Sequence, residues 1–95
     1  MTDPAEWHAT IRVRRPSRQD AERFTWALAP EATRDVPRAR AELAQPNPRT
    51  VEIRITATDT SACRAALNTY LAWVGLVLST ERAALASRNR IEPLR

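Results

Sequence analysis

The sequence predicts an α+β domain with the element order β-α-β-β-α, and three observations support this fold class. One stretch near the start and two adjacent stretches near the middle alternate apolar and polar residues with the period of two that is typical of β-strands. Two further stretches repeat apolar residues at helical spacing. A chain of 95 residues is long enough for one domain with a single two-layer core. The simplest arrangement is a three-stranded sheet of antiparallel type with both helices packed on one face.

The first strand is predicted over residues 8–15. Apolar residues at positions 9, 11 and 13 alternate with polar ones, as in a strand with one solvated face. Pro16 ends the strand. Residues 1–7 show no periodicity and are expected to form a loose arm.

The first helix is predicted from about Arg18 to Leu28. Ser17 followed by Asp20 resembles a capping box in which Asp replaces the usual Glu, and Pro30 is expected to end the helix. Trp26 lies opposite the apolar stripe, so on an isolated domain it would be an exposed indole and a candidate contact residue. The buried stripe comprises Ala21, Phe24, Thr25 and Leu28.

A hairpin is predicted between the two helices. Residues 31–37 form a connector, residues 38–43 alternate as strand two, and residues 50–58 alternate as strand three. The segment 45–49 contains two prolines and is predicted to be the turn, because proline cannot donate to a sheet ladder. The apolar side of strand three comprises Val51, Ile53, Ile55 and Ala57.

The sheet face away from the helices is predicted to carry five arginines and two glutamates, a net charge of +3. This face is either a surface that contacts phosphate groups or a solvated face whose cross-strand ion pairs contribute little to stability. The candidate nucleic-acid-binding residues are Arg12, Arg14, Arg38, Arg40 and Arg54. The other residues placed on this face are His8, Thr10, Glu42, Glu52 and Thr56.

The second helix is predicted to begin after Asp59, whose carboxylate can cap the first turn, and to run to Leu78. The ordered part of the domain is expected to span about residues 8–80, with an arginine-rich, frayed end from about Ser87. The stripe predicted to face the core comprises Cys63, Leu67, Tyr70, Val74, Val77 and Leu78.

A second face of the same helix is also poor in charge. It carries small residues around one indole, and a domain of this size has too few other elements to cover it, so we expect it to contact another chain. The uninterrupted apolar run of residues 71–78 is far shorter than the roughly 20 residues that cross a bilayer. The second face comprises Ala62, Ala65, Thr69, Ala72, Trp73 and Leu76.

The composition excludes several functional classes. One glycine in 95 residues leaves no glycine-rich phosphate loop. With Cys63 and His8 as the single cysteine and histidine, one chain can form neither a disulfide framework nor a zinc site of the usual type. No group of polar residues suggests acid-base or nucleophilic catalysis, so we expect no enzyme and no cofactor. Cys63 is expected to be a small buried residue and His8 a residue at the strand edge.

The charge balance favours polyanionic partners. All fifteen basic residues are arginine, the net charge is +4, and the sequence pI is about 10.9. RNA or DNA contact is one interpretation, and a solvated surface of paired charges is the other. The acidic first residues are followed by no apolar run of a secretory signal, so a cytoplasmic protein is expected.

The residues on the predicted elements resemble the Pcc subunit of the KEOPS complex. The resemblance rests on the helix end at 27–31, on strand 51–55 with its continuation at 57–59, and above all on residues 64–73, Arg-Ala-Ala-Leu-Asn-Thr-Tyr-Leu-Ala-Trp. It spans about residues 9–80. In that family the fold is the same β-α-β-β-α arrangement, and the subunit is a small non-catalytic homodimer.

The resemblance implies a partner and a role. KEOPS makes the threonylcarbamoyladenosine next to the anticodon of tRNAs, and the two helices would dock on the Kae-type threonylcarbamoyl transferase subunit so that the dimer bridges two copies and helps to hold tRNA. Some archaea have a divergent Pcc paralogue, so a heterodimer is an alternative to the homodimer. Of the candidate residues, Arg64, Asn68 and Thr69 match the most recognisable positions of the family's second helix. The candidate partner-binding residues are Trp26, Arg64, Ala65, Asn68, Thr69, Ala72, Trp73 and Leu76.

A stand-alone RNA-binding domain is the alternative function. Small basic α+β domains commonly bind RNA through a sheet face. The predicted outer sheet face carries no Phe, Tyr or Trp on which bases could stack, so any RNA contact is expected to be electrostatic and independent of sequence.

Overall fold

The elements follow one another in the predicted order β-α-β-β-α. A computed structural model describes residues 6–32 and 37–90 of the chain. The predictions for the loose arm, the connector and the frayed end therefore fall partly outside the described residues, at 1–5, 33–36 and 91–95. The elements are β1 (Trp7–Arg14), α1 (Arg18–Ala32), β2 (Ala39–Asn47), β3 (Thr50–Ala57) and α2 (Thr60–Arg90).

The sheet has the strand order β1-β3-β2, and both pairings are antiparallel. The central strand β3 has a neighbour on each side, and Ile53 faces Ile11 on β1 and Leu43 on β2. Val51 and Ile53 are completely buried because helices cover the face to which they point. The predicted α+β architecture, with both helices on one face, is confirmed.

The β2–β3 hairpin differs from the prediction in where it turns. β2 continues through Pro46 to Asn47, and the pairing register shifts between Ala44 and Asn47. A β-bulge accommodates a residue that cannot donate to the ladder, so Pro46 is tolerated there. The turn is formed at residues 48–49, where the Asn47 side-chain oxygen accepts a hydrogen bond from the Arg49 amide at 3.0 Å.

The start of α1 and its buried stripe are as predicted. The Ser17 hydroxyl oxygen accepts a hydrogen bond from the Asp20 amide at 3.1 Å, which caps the helix. Phe24 and Leu28 are buried, as is Ala21, while Thr25 is half-buried.

The predicted end of α1 was wrong. The helix passes through Pro30 and ends at Ala32. Proline has no backbone N–H and therefore cannot donate the helical hydrogen bond at its position. In the last turn, this single loss does not stop the helix.

The start of α2 is also as predicted, because the Asp59 carboxylate accepts a hydrogen bond from the Ala62 amide at 2.8 Å. Its length differs from the prediction: the helix continues beyond Leu78 to Arg90, so residues 87–90 belong to the helix rather than to a frayed end. The Arg15 guanidinium anchors this extension, since it pairs with the Glu81 carboxylate and lies 5.2 Å from the centre of the Phe24 ring.

The core-facing stripe of α2 is rotated relative to the prediction. Tyr70 and Val74 are buried as expected, but Ala62 and Ala66 are buried as well, and Cys63 is only half-buried. The assignment of Ala62 to the second face was therefore wrong. Alanine has little bulk, so the helix can lie close to the sheet along this line, and larger residues flank the contact. The flanking residues, partly buried against the core, are Leu67, Trp73, Val77 and Leu78.

Two candidate interaction surfaces

The candidate sites are surfaces, because the depressions found on the described residues are open to solvent. A shallow depression of about 360 Å³ lies on α1 and is lined by Glu22, Arg23, Trp26 and Ala27. No group of three His, Cys, Asp or Glu side chains in the described part of the chain could hold a metal ion. No helix within residues 6–32 and 37–90 is long and apolar enough to cross a membrane.

The first surface is the outer face of the helix pair, here called the helical face. Trp26 is 85% exposed on α1, and Leu76 is 54% exposed on α2. Ala65, Thr69 and Ala72 are exposed on the same side of α2 as Leu76, at successive spacings of four and three residues. This spacing makes a continuous line of small and apolar side chains along the helix. Arg64 and Asn68 are exposed beside it.

Trp73 is the one predicted partner residue that is not freely exposed. It is half-buried and packs against the hydrophobic core. Only part of its indole is available to another chain, and the remainder stabilises the fold.

The second surface is the outer face of the sheet. Arg12, Arg14, Arg40 and Arg54 are exposed on the three adjacent strands. Glu52, predicted to be solvated there, has only 7% of its side chain exposed because it lies between two of these arginines. We call these four arginines and Glu52 the arginine face.

Glu52 is hydrogen-bonded on both carboxylate oxygens. Its Oε2 accepts from Arg12 Nε at 2.8 Å, and its Oε1 accepts from Arg54 Nε at 3.0 Å and Nη2 at 2.8 Å. The hydrogen bonds from Arg54, and then those from Arg12, lower the pKa of Glu52 below its ordinary value of 4.5. Glu52 is therefore ionised at neutral pH, and the three side chains together carry a net charge of +1.

Arg38 does not belong to the arginine face. It precedes β2 with a φ of 62°, and its guanidinium lies 3.4 Å from the carboxylate of Asp59 at the start of α2. Its carbonyl accepts a hydrogen bond from the Thr58 amide at 3.0 Å. The placement of Arg38 on a regular strand was wrong, because this residue has a left-handed backbone conformation in a turn and β2 begins at Ala39. His8 is exposed on β1, as predicted, and lies 3.3 Å from Glu6.

The sequence model of the family described as transcription factor Pcc1 matches residues 8–81. The chain belongs to the Pcc1 family. This is the KEOPS subunit family, so the resemblance in the sequence is confirmed and the chain is a KEOPS-related subunit. A search of curated proteins found no significant match.

Membership of the Pcc1 family places the two surfaces within its shared domain. The match covers the sheet from His8 onward, α1, and α2 as far as Glu81, while α2 continues to Arg90. The family is not known to be catalytic.

The exposure of two leucines of this Pcc1-family protein was not predicted from the sequence. Leu71 is 47% exposed and Leu85 is 58% exposed. Leu71 lies within the apolar run of residues 71–78, so only the helical phase distinguishes it from core residues. Leu85 lies beyond the predicted helix end, and the signal that could have placed it is the absence of proline and glycine between Gly75 and Pro93.

Proposed function

We propose that this protein is a non-catalytic subunit of the KEOPS complex that docks on the threonylcarbamoyl transferase subunit through its helical face. In this role it supports formation of N6-threonylcarbamoyladenosine in tRNA, in the cytoplasm. The family match supports the KEOPS context. The partner and the modification are the proposed part.

The line Ala65, Thr69, Ala72 and Leu76 is the observation that carries the docking proposal. Spacings of four, three and four residues repeat as they do along the contact line of paired helices. All four residues are exposed, whereas Ala66, Tyr70 and Val74 of the same helix are buried in the core. Small side chains allow the backbone of a second helix to approach closely. A helix of the transferase subunit is the partner that fits this line.

Trp26 is the proposed anchor on the other helix. Its indole is 85% exposed beside a shallow depression on α1. Buried Trp residues contribute more to binding than most other residue types. Together, α1 and α2 would make a two-helix contact with the transferase subunit.

We further propose self-association, so that two copies bridge two transferase subunits. The second protomer is the same chain, or a Pcc paralogue in the alternative case. The sheet leaves one edge of β1 and one edge of β2 without a strand partner among the described residues. Either edge, or a helix, could provide the contact.

Substitution of Ala72 by Asp tests the docking proposal. A buried, unpaired carboxylate in the contact is strongly unfavourable, so the Ala72→Asp variant is expected to lose co-purification with the transferase subunit. Ala86→Asp is the matched control, because Ala86 is also exposed on α2 but lies beyond the family match. Circular dichroism should show both variants folded. If a folded Ala72→Asp variant still retains the transferase subunit, the helical face is not the docking surface.

A stand-alone RNA-binding domain is the second candidate function. The exposed arginines of the arginine face favour it, because arginine makes forked contacts to phosphate. The same co-purification experiment separates the two functions: a KEOPS subunit brings the transferase from native extract, whereas an independent RNA-binding domain brings RNA alone.

A further inference from the structure

We propose that Glu52 is a positioning residue that holds Arg12 and Arg54 as a preformed pair of forks for phosphodiester groups of an RNA backbone. This inference rests on RNA binding by the arginine face, the second candidate function above. It adds a specific site within the arginine face and a role for its buried carboxylate.

The location of Glu52 on the central strand makes this arrangement possible. Arg12 on β1 is its direct cross-strand partner. Arg54 follows two residues later on β3, so its side chain is on the same face of the sheet. Glu52 is therefore flanked by one arginine across the ladder and one along its own strand. The two side chains cover the carboxylate and leave 7% of the Glu52 side chain exposed.

The arginines are fixed at one end and open at the other. Glu52 engages Nε of Arg12, and Nε and Nη2 of Arg54. In the described part of the chain, both Nη atoms of Arg12 and Nη1 of Arg54 have no hydrogen-bond partner. The side chains are 68% and 53% exposed, respectively. The free N–H groups can therefore reach an incoming ligand.

A phosphodiester is the ligand chemistry that fits these groups. The guanidinium fork matches two oxygens of one phosphate, and the cluster retains a net positive charge after Glu52 is counted. Arg14 and Arg40 extend the positive charge to both outer strands. Holding an arginine in place before binding reduces the rotamer entropy that is lost on contact. Glu52 thus lowers the local positive charge but holds the guanidinium groups of Arg12 and Arg54 in position for a phosphate.

Charge and positioning predict opposite effects of Glu52→Gln on RNA affinity. The substitution adds one unit of positive charge, which alone would tighten binding. It also removes the charge-assisted hydrogen bonds that position two arginines, which would weaken binding. Glu42→Gln is the matched control. Glu42 is exposed on β2 opposite Arg54, on the same face, and forms no ion pair with a described residue.

The experiment measures the affinity of the full chain for unmodified tRNA by fluorescence anisotropy at about 50 mM salt, where electrostatic contacts are strong. Glu42→Gln is expected to bind about two- to threefold more tightly than wild type because of its added charge. Glu52→Gln is expected to bind at least about threefold more weakly than Glu42→Gln. A difference smaller than this between the two variants overturns the positioning role.

Arginine-to-lysine variants test the forks without changing the charge, and they decide the matter if Glu52→Gln does not fold. Arg54→Lys should weaken tRNA binding more than Arg14→Lys, because only Arg54 is held by Glu52. Equal effects of the two substitutions would contradict the proposal.

Failure of the proposed RNA contact has a different signature. Wild-type protein would then show no salt-dependent tRNA binding at all, and the positioning role would fall with it, whereas docking on the transferase is tested separately. Sedimentation of the Glu52→Gln variant tests whether the arginine face contacts a protein chain instead of RNA. A change in oligomeric state with unchanged tRNA affinity would assign the arginine face to a contact between protein chains and overturn the inference.

Discussion

Two aromatic residues on α1 have opposite environments although one residue separates them. Phe24 is completely buried against the core, and the Arg15 guanidinium lies over its ring. Trp26 is 85% exposed and points away from the core. Helical geometry explains the contrast, because two residues turn a side chain by about 200° around the axis. One aromatic residue therefore stabilises the domain, and the other is available to a partner.

Alanine substitutions at these two positions should separate stability from binding. Phe24→Ala is expected to lower the free energy of unfolding by about 3–5 kcal/mol, because it removes a large buried side chain and leaves a cavity. Trp26→Ala should change it by no more than about 0.5 kcal/mol. Urea denaturation followed by circular dichroism measures both values. A comparable loss of stability in the two variants would show that Trp26 packs within the domain.

The ion cluster at Glu52 makes stability depend on pH in a defined direction. Because the pKa of Glu52 is lower in the folded state than its ordinary value of 4.5, the ionised form stabilises the fold. That contribution is fully present above about pH 4.5 and is lost as the pH falls through the folded-state pKa. The stability difference between wild type and Glu52→Gln should therefore shrink below pH 4.5 in thermal melts. A difference that is constant down to pH 3, roughly where other carboxylates also titrate, would contradict this assignment.

At the scale of elements, α2 depends on the capping contact at its first turn. The Asp59 carboxylate accepts from the Ala62 amide and also lies near the Arg38 guanidinium, which fixes the chain between β3 and α2. The hairpin depends on a different device, the bulge that accommodates Pro46. The cap sets where α2 begins, and the bulge sets where β2 bends.

Removal of the cap should be measurable. Asp59→Ala is expected to destabilise the domain by about 1 kcal/mol, since the amides of the first turn lose their side-chain acceptor. Asp59→Asn is the control, because its amide oxygen can still accept the hydrogen bond. Chemical denaturation of the three proteins provides the comparison. If Asp59→Asn and Asp59→Ala lower the free energy of unfolding equally, the contribution of Asp59 comes from its charge near Arg38 rather than from the cap.

The sequence predicted most of the fold because its patterns are local. Alternation on β3 and helical spacing at Phe24 and Leu28 identify elements and buried faces directly. The bulge near Pro46 and the exact phase of α2 depend on pairing and packing between elements, which a single pattern does not encode. The burial of Glu52 was missed for the same reason, because the arginines that cover it come from two strands.

The candidate site was predictable to different degrees. Trp26 and Leu76 could be placed on an exposed face from helical spacing alone, and the structure places both there. Trp73 could not, because its angle on the helix lies close to the boundary between the two faces and small alanines shift that boundary. The left-handed backbone of Arg38 could not be predicted either, because the alternating pattern continues through this residue.

At the scale of the whole molecule, the core is small. Four of the twelve buried apolar residues in the described part of the chain are alanines, which contribute little buried area each. Small domains with thin cores often gain stability by association. The exposed Leu71, Leu76 and Leu85 add apolar surface that association can cover.

Self-association should therefore be visible with the purified protein. Sedimentation at micromolar concentration is expected to give a species of twice the 10.7 kDa of one chain, and the melting temperature should rise with protein concentration. Sedimentation of Glu52→Gln tests whether the arginine face forms the contact between protomers, and sedimentation of Ala72→Asp tests the helical face. A strict monomer whose melting temperature is independent of concentration would remove the proposed bridging role.

The length of α2 divides this helix into two parts with different opening free energies. Its 31 residues extend for about 46 Å, whereas strands of eight residues extend for about 27 Å. The first part opens only when the core opens, since Ala66, Tyr70 and Val74 are buried in it. Beyond the Arg15–Glu81 contact, residues 82–86 are all exposed, so helical hydrogen bonds there can break without loss of core packing. The terminal turns of α2 can therefore open on their own, whereas the part of the helix within the family-matched domain opens together with the core.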